Sequence, residues 1–304
     1  MIFKPVTTGF FDFNMKKIKI SSKNNLKFKA WTKLSNKKYR EKERKMLIEG
    51  ETLLEEAIRS GFKIFEVILR SGYESKSQSI DNFPVFEIKE GMFNRLTSTV
   101  TPAGLLAVSA LPRTDERTFF KRINAESTIP KNNEFSNSIG SNEATDIALN
   151  LEGKRKDIVV LNALQDPGNV GTIIRTAEAA GFAGVCYTDG TADIFSQKVV
   201  RSTAGSIFRM PIWETGSDSE TIEKLHNRGY AIVASSPVGC DVFTNSKTES
   251  PVALIVGNEA NGVSEEFLKK ADSVVRIPMA GSIESMNVAV ATGIMMYEIA
   301  KKHK

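Results

Sequence analysis

The second half of the chain constrains the fold most, because short apolar runs alternate there with helix-like stretches. The strand-like runs lie at 158–161, 184–187, 212–213, 230–234, 252–256 and 274–277. The helix-like stretches lie at 171–181, 197–207, 219–228, 264–270 and 286–302. This alternation predicts a parallel β-sheet with helices on both faces. Open sheets of this class bind ligands at the carboxyl ends of their strands, so the residues that follow each run are candidates for function.

Clusters of polar residues and glycine follow three of these runs. The first cluster contains Asn162, Asp166, Pro167, Asn169, Gly171 and Arg175. The second contains Gly257, Asn258, Glu259, Asn261 and Gly262. The third contains Pro278, Gly281, Glu284, Ser285 and Asn287. Each combines a turn with the start of a helix, so each predicts either an ordinary capped turn or a functional loop.

Single residues of the clusters carry distinct chemistry. Arg175 lies near the first turn of its helix, and arginine binds phosphate with two parallel hydrogen bonds. Gly257 lets the backbone turn sharply and lets a ligand approach closely. By itself, a glutamate between glycines, such as Glu259, is more often a turn residue than a catalyst. Ser285 is placed to cap the last helix, whose first amide groups favour a carboxylate.

The order Gly-Asn-Glu-Ala-x-Gly-Val-Ser at 257–264, together with the other two clusters, resembles the signature motifs of a known family. This family is the SpoU (TrmH-type) RNA ribose methyltransferases of the SPOUT class, and the resemblance covers 157–302. It implies a C-terminal α/β trefoil-knot domain with a parallel sheet. It also implies S-adenosylmethionine as the cofactor and methylation of a ribose 2′-hydroxyl in RNA.

The resemblance assigns roles to residues. The catalytic set that it implies is Arg175, Asn169, Glu259, Ser285 and Asn287. The cofactor-binding set that it implies is Gly257, Ile277, Met286 and Ser285. An arginine side chain stays protonated in proteins and is therefore a poor base. We therefore expect Arg175 to stabilise developing negative charge and to fix a substrate phosphate, while its role as a base stays open.

The first half of the chain predicts a smaller α/β domain. Helical spacing covers 37–60, and strand-like runs follow at 65–69, 84–88 and 104–108. The stretch 39–51 resembles the opening of the substrate-binding domain that precedes many SpoU catalytic domains. The predicted organisation is a basic N-terminal arm at 1–27, a substrate (RNA)-binding domain at 28–112, a flexible linker or insertion at 113–155 and the SpoU methyltransferase domain at 156–304.

Positive charge is concentrated at the N-terminus. Residues 1–45 carry 14 Lys/Arg and 3 Asp/Glu, whereas the whole chain has a net charge of only +5. This asymmetry predicts contact with a polyanion, because Lys and Arg neutralise phosphates in a salt-sensitive manner. The resemblance implies that this polyanion is RNA. The alternative is that the basic segment is a solvated tail.

The composition argues against several classes of protein. No apolar run approaches the roughly 18 residues of a membrane span, and the N-terminus lacks a secretory signal. The cysteines, Cys186 and Cys240, do not make a disulfide framework, so a cytoplasmic location is expected. The two histidines, His226 and His303, are too few to indicate a metal site built from His and Cys ligands. No Gly-x-Gly-x-x-Gly fingerprint follows a predicted strand, which argues against a nicotinamide site.

The favoured function is therefore methylation of a ribose in RNA, with ribosomal RNA preferred over transfer RNA. Methylation of transfer RNA is one alternative, and a catalytically silent RNA-binding or ribosome-assembly factor of the same fold is another. The last helix carries Val290, Ile294 and Tyr297 on one face, beside Gly293. Helical spacing alone favours packing of this stripe on its own sheet, whereas the resemblance implies a homodimer through this region.

Overall fold

The computed structural model describes residues 17–124, 156–242, 250–283 and 285–301. The chain divides into two compact units, one at Met1–Leu111 and the other at Pro112–Lys304. The units are described separately below.

A mixed five-stranded sheet forms the first unit. Its strands are β1 (Ile18–Ile20), β2 (Lys45–Glu49), β3 (Ile64–Arg70), β4 (Val85–Ile88) and β5 (Leu105–Ala110). Its helices are α1 (Leu26–Lys33), α2 (Lys37–Glu43), α3 (Glu51–Arg59) and α4 (Glu90–Phe93), with a 3-10 helix at Gln78–Asn82. The strand order is β1-β4-β3-β5-β2, and β5 runs antiparallel to both of its neighbours. This unit is the predicted smaller α/β domain.

The core of the first unit explains why α1 forms. The side chain of Asn25 caps the helix by accepting a hydrogen bond from the backbone of Lys27 at 2.9 Å. The helix then buries Phe28 and Trp31 in the same apolar cluster as the strand residue Ile68. The indole of Trp31 donates to Glu66 Oε1 at 2.6 Å, so its polar group is satisfied inside the core.

Two elements of this unit differ from the predictions. Strand β1 lies within the range predicted as an irregular arm, because Ile18–Ile20 pair in parallel with β4; residues 1–16 of that arm lie outside the described residues. The helix predicted over 37–60 is wrong in its middle, where β2 pairs with β5. Arg44 ends α2 in a left-handed conformation, with φ of 53°. Gly50, with φ of 97°, then precedes α3, so the chain leaves and re-enters helical geometry at these two residues.

A parallel six-stranded sheet forms the second unit. Its strands are β6 (Ile158–Leu161), β7 (Gly184–Thr188), β8 (Ile212–Gly216), β9 (Ala231–Asp241), β10 (Val252–Val256) and β11 (Ser273–Arg276). Its helices are α5 (Glu116–Asn124), α6 (Pro167–Ala180), α7 (Gln197–Ser202), α8 (Ser206–Arg209), α9 (Asp218–Asn227), α10 (Glu265–Lys270) and α11 (Val288–Lys301). The order is β11-β9-β10-β6-β7-β8, and every pairing is parallel. The predicted parallel sheet is thus confirmed, and the trefoil knot that the resemblance implies fits this fold.

Helix α5 lies within the range predicted as a linker. Its Phe119 and Phe120 are buried, and Phe120 meets the ring of Trp213 edge-on with the centroids 5.3 Å apart. Arg122 donates from Nη2 to the carbonyl oxygen of Arg209 at 2.5 Å. The linker prediction missed these two consecutive aromatic residues, whose burial outweighs the polar composition around them. Residues 125–155, the rest of the predicted linker, lie outside the described residues.

Candidate active site at the carboxyl ends of the parallel strands

The turn from β6 into α6 places Asn169 at the start of a helix. Asp166 caps α6, because its Oδ1 accepts a hydrogen bond from the backbone of Asn169 at 2.8 Å. Gly171 allows α6 to pack closely on α7, since a Cβ atom there would lie 2.8 Å from the carbonyl oxygen of Val199. The first cluster therefore forms the capped turn that its residues predict, with the side chain of Asn169 free to face the neighbouring loop.

A chain of side-chain hydrogen bonds joins the three clusters. Asn287 donates from Nδ2 to Asn169 Oδ1 at 3.0 Å, and Asn169 donates from Nδ2 to Glu259 Oε1 at 3.0 Å. Glu259 also accepts from the backbone N–H groups of Gln165 and Asp166, each at 3.4 Å. Side chains separated by about ninety residues and more in sequence thus meet at one edge of the sheet.

The surroundings of Glu259 set its charge. Burial raises the pKa of its carboxyl group, whereas hydrogen bonds from the Asn169 side chain and from backbone groups of Glu259, Gln165 and Asp166 lower it. The net pKa lies below its ordinary value. Glu259 is therefore ionised at neutral pH, where it acts as a hydrogen-bond acceptor that orients Asn169.

The second cluster is a tight loop that presents Glu259. Asn258 and Gly262 exchange backbone hydrogen bonds of 2.9 and 2.8 Å. A Cβ atom on Gly257 would lie 2.0 Å from the backbone carbon of Gly262, so only glycine fits there. The side chain of Asn258 donates to the carbonyl oxygen of Ala163 at 3.0 Å and thereby attaches this loop to the first cluster.

Asn162 is a buried polar residue for which the sequence predicted no role. Its Nδ2 donates to Asp218 Oδ1 at 2.8 Å and to Thr188 Oγ1 at 3.2 Å. Its Oδ1 accepts from the backbone of Ser264 at 2.8 Å. One amide therefore connects the ends of β6 and β7 with the starts of α9 and α10. The signal in the sequence was its place directly after a fully apolar strand.

The third cluster follows β11 and leads into α11. The cap of this helix is Asn287 rather than Ser285, because Asn287 Oδ1 accepts from the backbone of Ala289 at 2.9 Å and of Val290 at 3.3 Å. Ser285 is exposed, and Ile277 and Met286 are half-buried next to the end of β11 and the start of α11. Glu284 lies outside the described residues.

The structure places Arg175 away from the hydrogen-bond chain. Arg175 lies about 9 Å beyond Asn169 along α6 and about 240° further around it. It is exposed, and no hydrogen bond or ion pair joins it to any residue that the structure describes. Of the predicted catalytic set, the geometry thus brings together Asn169, Glu259 and Asn287, and leaves Arg175 on the outer surface of α6.

An exposed groove runs between α6 and α11, on the same side of α6 as Thr172 and Thr176. The α11 residues that line it are Ala289, Val290, Gly293, Ile294, Tyr297 and Glu298. Val290 is 56% exposed and Tyr297 is 54% exposed. Two of the three stripe residues are therefore more than half exposed, which differs from the packing on its own sheet that helical spacing alone favours.

No group of three or more His, Cys, Asp and Glu side chains within the described ranges is arranged to hold a metal ion. Among those same residues, none of the helices has both the length and the apolarity needed to cross a bilayer. A polar site that loops assemble at the carboxyl ends of parallel strands is typical of a ligand-binding α/β domain.

Comparison with known proteins identifies this domain. Residues 156–297 match the SpoU rRNA Methylase family, and residues 25–107 match the MRM3-like substrate binding domain. The chain is 33% identical over 280 residues to the 23S rRNA (guanosine(2553)-2′-O)-methyltransferase RlmP of Bacillus subtilis, an alignment that covers 92% of this chain and 98% of that protein. It is 39% identical to an uncharacterized tRNA/rRNA methyltransferase of Synechocystis, over 47% of this chain and 53% of that one.

Solved structures agree along most of the chain. An AdoMet-bound rRNA methyltransferase from Sinorhizobium meliloti superposes with a TM-score of 0.72 at 28% identity, covering 94% of this chain and 97% of that one. The SpoU methyltransferase AviRb from Streptomyces viridochromogenes, in complex with AdoMet, gives a TM-score of 0.73 at 25% identity, covering 91% and 98%. The chain belongs to the SpoU rRNA methylase family.

Proposed function

We propose that this protein transfers the methyl group of S-adenosylmethionine to the ribose 2′-hydroxyl of a ribosomal RNA nucleotide. The observation that carries the proposal is the hydrogen-bond chain Asn287–Asn169–Glu259, which assembles one side chain from each family motif at one edge of the sheet. The relative that aligns along nearly its whole length acts on 23S rRNA, whereas the tRNA/rRNA methyltransferase of Synechocystis aligns over about half of its length. Ribosomal RNA is therefore the preferred substrate.

The residues proposed for the cofactor are Gly257, Ile277, Ser285 and Met286. They follow β10 and β11 or precede α11, and they offer backbone groups and apolar side chains rather than acidic side chains. Such a set fits a neutral adenine ring and a methionine end. When bound, the cofactor supplies an electrophilic methyl group for in-line attack by the ribose oxygen.

The chain's own residues position the substrate and stabilise charge. Glu259 is held ionised and orients Asn169, and Asn169 and Asn287 hold the loops of the first and third motifs at a fixed separation. Arg175 supplies a permanent positive charge that stabilises developing negative charge on the ribose oxygen and binds a substrate phosphate.

The uncovered apolar groove between α6 and α11 supports a homodimer, because a second copy seated there would cover Val290 and Tyr297. In the proposed dimer, Arg175, which is exposed on α6, acts at the partner's cofactor loops. We also infer the roles of the two regions, with RNA binding at 28–112 and the chemistry at 156–304, in a cytoplasmic protein.

Methyl transfer from radiolabelled S-adenosylmethionine tests the proposal. The acceptors are 23S rRNA, 16S rRNA and transfer RNA from cells that lack the protein, and the modified nucleotide is then mapped. Label on a ribose of 23S rRNA is the expected result, and label on transfer RNA alone would assign the alternative substrate. Cofactor binding by calorimetry distinguishes the silent assembly factor, which would neither bind the cofactor nor transfer its methyl group.

A further inference from the structure

Lysine side chains lie over aromatic rings at the margin of the core of the first unit. The ammonium group of Lys33 is 5.6 Å from the ring centroid of Tyr39. Those of Lys45 and Lys63 are 4.7 and 5.0 Å from the ring centroid of Phe65. Both rings are half-buried against the same apolar cluster. Lys45 pairs with Ala110 across the sheet, and the backbone N–H of Ala110 donates to the carbonyl oxygen of Lys63 at 2.9 Å, so these two lysines lie at the same end of the sheet.

These three lysines differ from a fourth that also lies over a ring. Lys27 is 4.6 Å from the ring centroid of Phe86, but it forms an ion pair with Glu66. None of Lys33, Lys45 and Lys63 has a carboxylate within ion-pair distance among the residues that the structure describes. Their charges are ordered by the rings yet not neutralised.

Charge is distributed unequally along this domain. Residues 17–45 carry 12 Lys/Arg and 2 Glu, a net charge of +10. Strand β2 begins at Lys45 and ends at Glu49, and Glu51 follows at the start of α3. Five residues of strand span about 13 Å, so Lys45 lies about that far from Glu49, which is buried and accepts hydrogen bonds from Thr99 and Ala103. The excess of positive charge up to the start of β2 favours binding of a polyanion there.

We propose that Lys33, Lys45 and Lys63, held by Tyr39 and Phe65, form a binding surface for the phosphate backbone of the RNA substrate. The inference rests on the proposed function for the nature of the polyanion. A lysine that is already ordered over a ring loses less conformational entropy when a phosphate binds. Each phosphate that it neutralises releases condensed counterions, so binding depends on salt and not on RNA sequence.

The test compares two triple variants with equal loss of charge. The first is Lys33→Gln, Lys45→Gln and Lys63→Gln. The matched control is Lys76→Gln, Lys121→Gln and Lys270→Gln, three exposed lysines outside the surface that make no ion pair with the described residues. The probe is 23S rRNA transcribed in vitro, and its affinity is measured by filter binding across a KCl series without cofactor.

The expected result is a slope of log affinity against log salt that is shallower by about 2 to 3 in the first variant. The control should keep the wild-type slope. The variant Phe65→Leu keeps the lysine charges and removes the ring, so it should weaken binding by about twofold to fivefold while the slope stays unchanged. Thermal unfolding verifies that each variant is folded. If Lys45→Gln unfolds the domain, the double variant Lys33→Gln, Lys63→Gln, which changes only exposed residues, replaces the triple variant.

An unchanged slope, or equal slope changes in the first variant and the control, would overturn the inference. So would unchanged RNA affinity with lost binding to phosphatidylserine vesicles, because the surface would then bind membranes. Methyl transfer is measured separately on the same RNA. If the first variant methylates RNA normally and its salt slope is unchanged, the lysine surface is refuted and the proposed function stands. If the salt slope is reduced in a protein that never methylates RNA, the proposed function is refuted and the lysine surface stands.

Discussion

Asn287 donates a hydrogen bond of 3.0 Å to Asn169 although 118 residues separate them in sequence. The bond joins the start of α11 to the start of α6, and Asn169 passes the connection on to Glu259. Because an amide side chain both donates and accepts, Asn169 can bridge a donor on one loop and a carboxylate on the other. A residue that only accepts or only donates cannot take its place.

Replacement of Asn169 therefore tests the bridge. Asn169→Asp keeps the size of the side chain but puts a second carboxylate against Glu259 and removes the donor. We expect turnover to fall by about a hundredfold, because a small displacement of the reacting groups reduces the rate by about that factor. The change in cofactor affinity should be smaller. Single-turnover methylation measures the effect, and Asn227→Ala, at an exposed position on α9, is the control. Wild-type turnover in Asn169→Asp would show that the bridge plays no part in the reaction.

Arg175→Ala tests the proposed role of the arginine. The structure gives Arg175 no partner among the described residues, so its removal should not disturb folding. We expect turnover to fall by about a hundredfold or more, as when a charge-stabilising group is lost, while calorimetry finds cofactor affinity unchanged. Arg175→Lys keeps the positive charge but not the bidentate hydrogen bonding, so its turnover should lie between those of wild type and Arg175→Ala. Equal single-turnover rates for Arg175→Ala and wild type would contradict the assignment.

Much of the site follows from the sequence, because the carboxyl ends of parallel strands meet at one edge of a sheet. That rule accounts for the meeting of Asn169, Glu259 and Asn287. It does not place Arg175, since the direction of a side chain around a helix relative to distant loops depends on tertiary packing. Strand β2 escaped prediction because Met46, Leu47 and Ile48 are also compatible with a buried helix, and periodicity cannot separate the two in so short a run.

Asn162 provides a test of stability rather than of catalysis. Asn162→Leu removes the acceptor for the backbone of Ser264 and the donor to Asp218, in a residue that is only 3% exposed. Burial of unsatisfied polar groups costs about 1–3 kcal/mol, so we expect the free energy of unfolding to fall by about that amount. Urea denaturation measures the free energy of unfolding, with Asn227→Ala as the surface control. A decrease no larger than that of the control would mean that the hydrogen bonds of Asn162 do not stabilise the fold.

The lowered pKa of Glu259 predicts a dependence of stability on pH. In the unfolded chain this carboxyl titrates near its ordinary value of 4.5, and folding depresses the pKa. Its contribution to stability is therefore present above pH 4.5 and is lost as pH falls through the folded value. Because the residue is exposed, the effect is small. The free energies of unfolding of wild type and Glu259→Gln should converge as pH falls below 4.5, and a difference that is constant with pH would contradict the prediction.

The groove between α6 and α11 predicts a dimer that can be broken without unfolding the chain. Gly293 is a poor target, because a Cβ atom there would lie 3.3 Å from Thr176 Cγ2 and disturb the packing of α6 on α11. Val290 and Tyr297 are more than half exposed, so Val290→Glu with Tyr297→Glu places charge only on the outer face. We expect monomers by sedimentation, with little methyl transfer because Arg175 no longer reaches a partner. Val238→Glu, at a residue 90% exposed on β9, is a surface control that adds one charge outside the groove. A wild-type protein that is fully active as a monomer at assay concentration would refute both the dimer and the role that it gives Arg175.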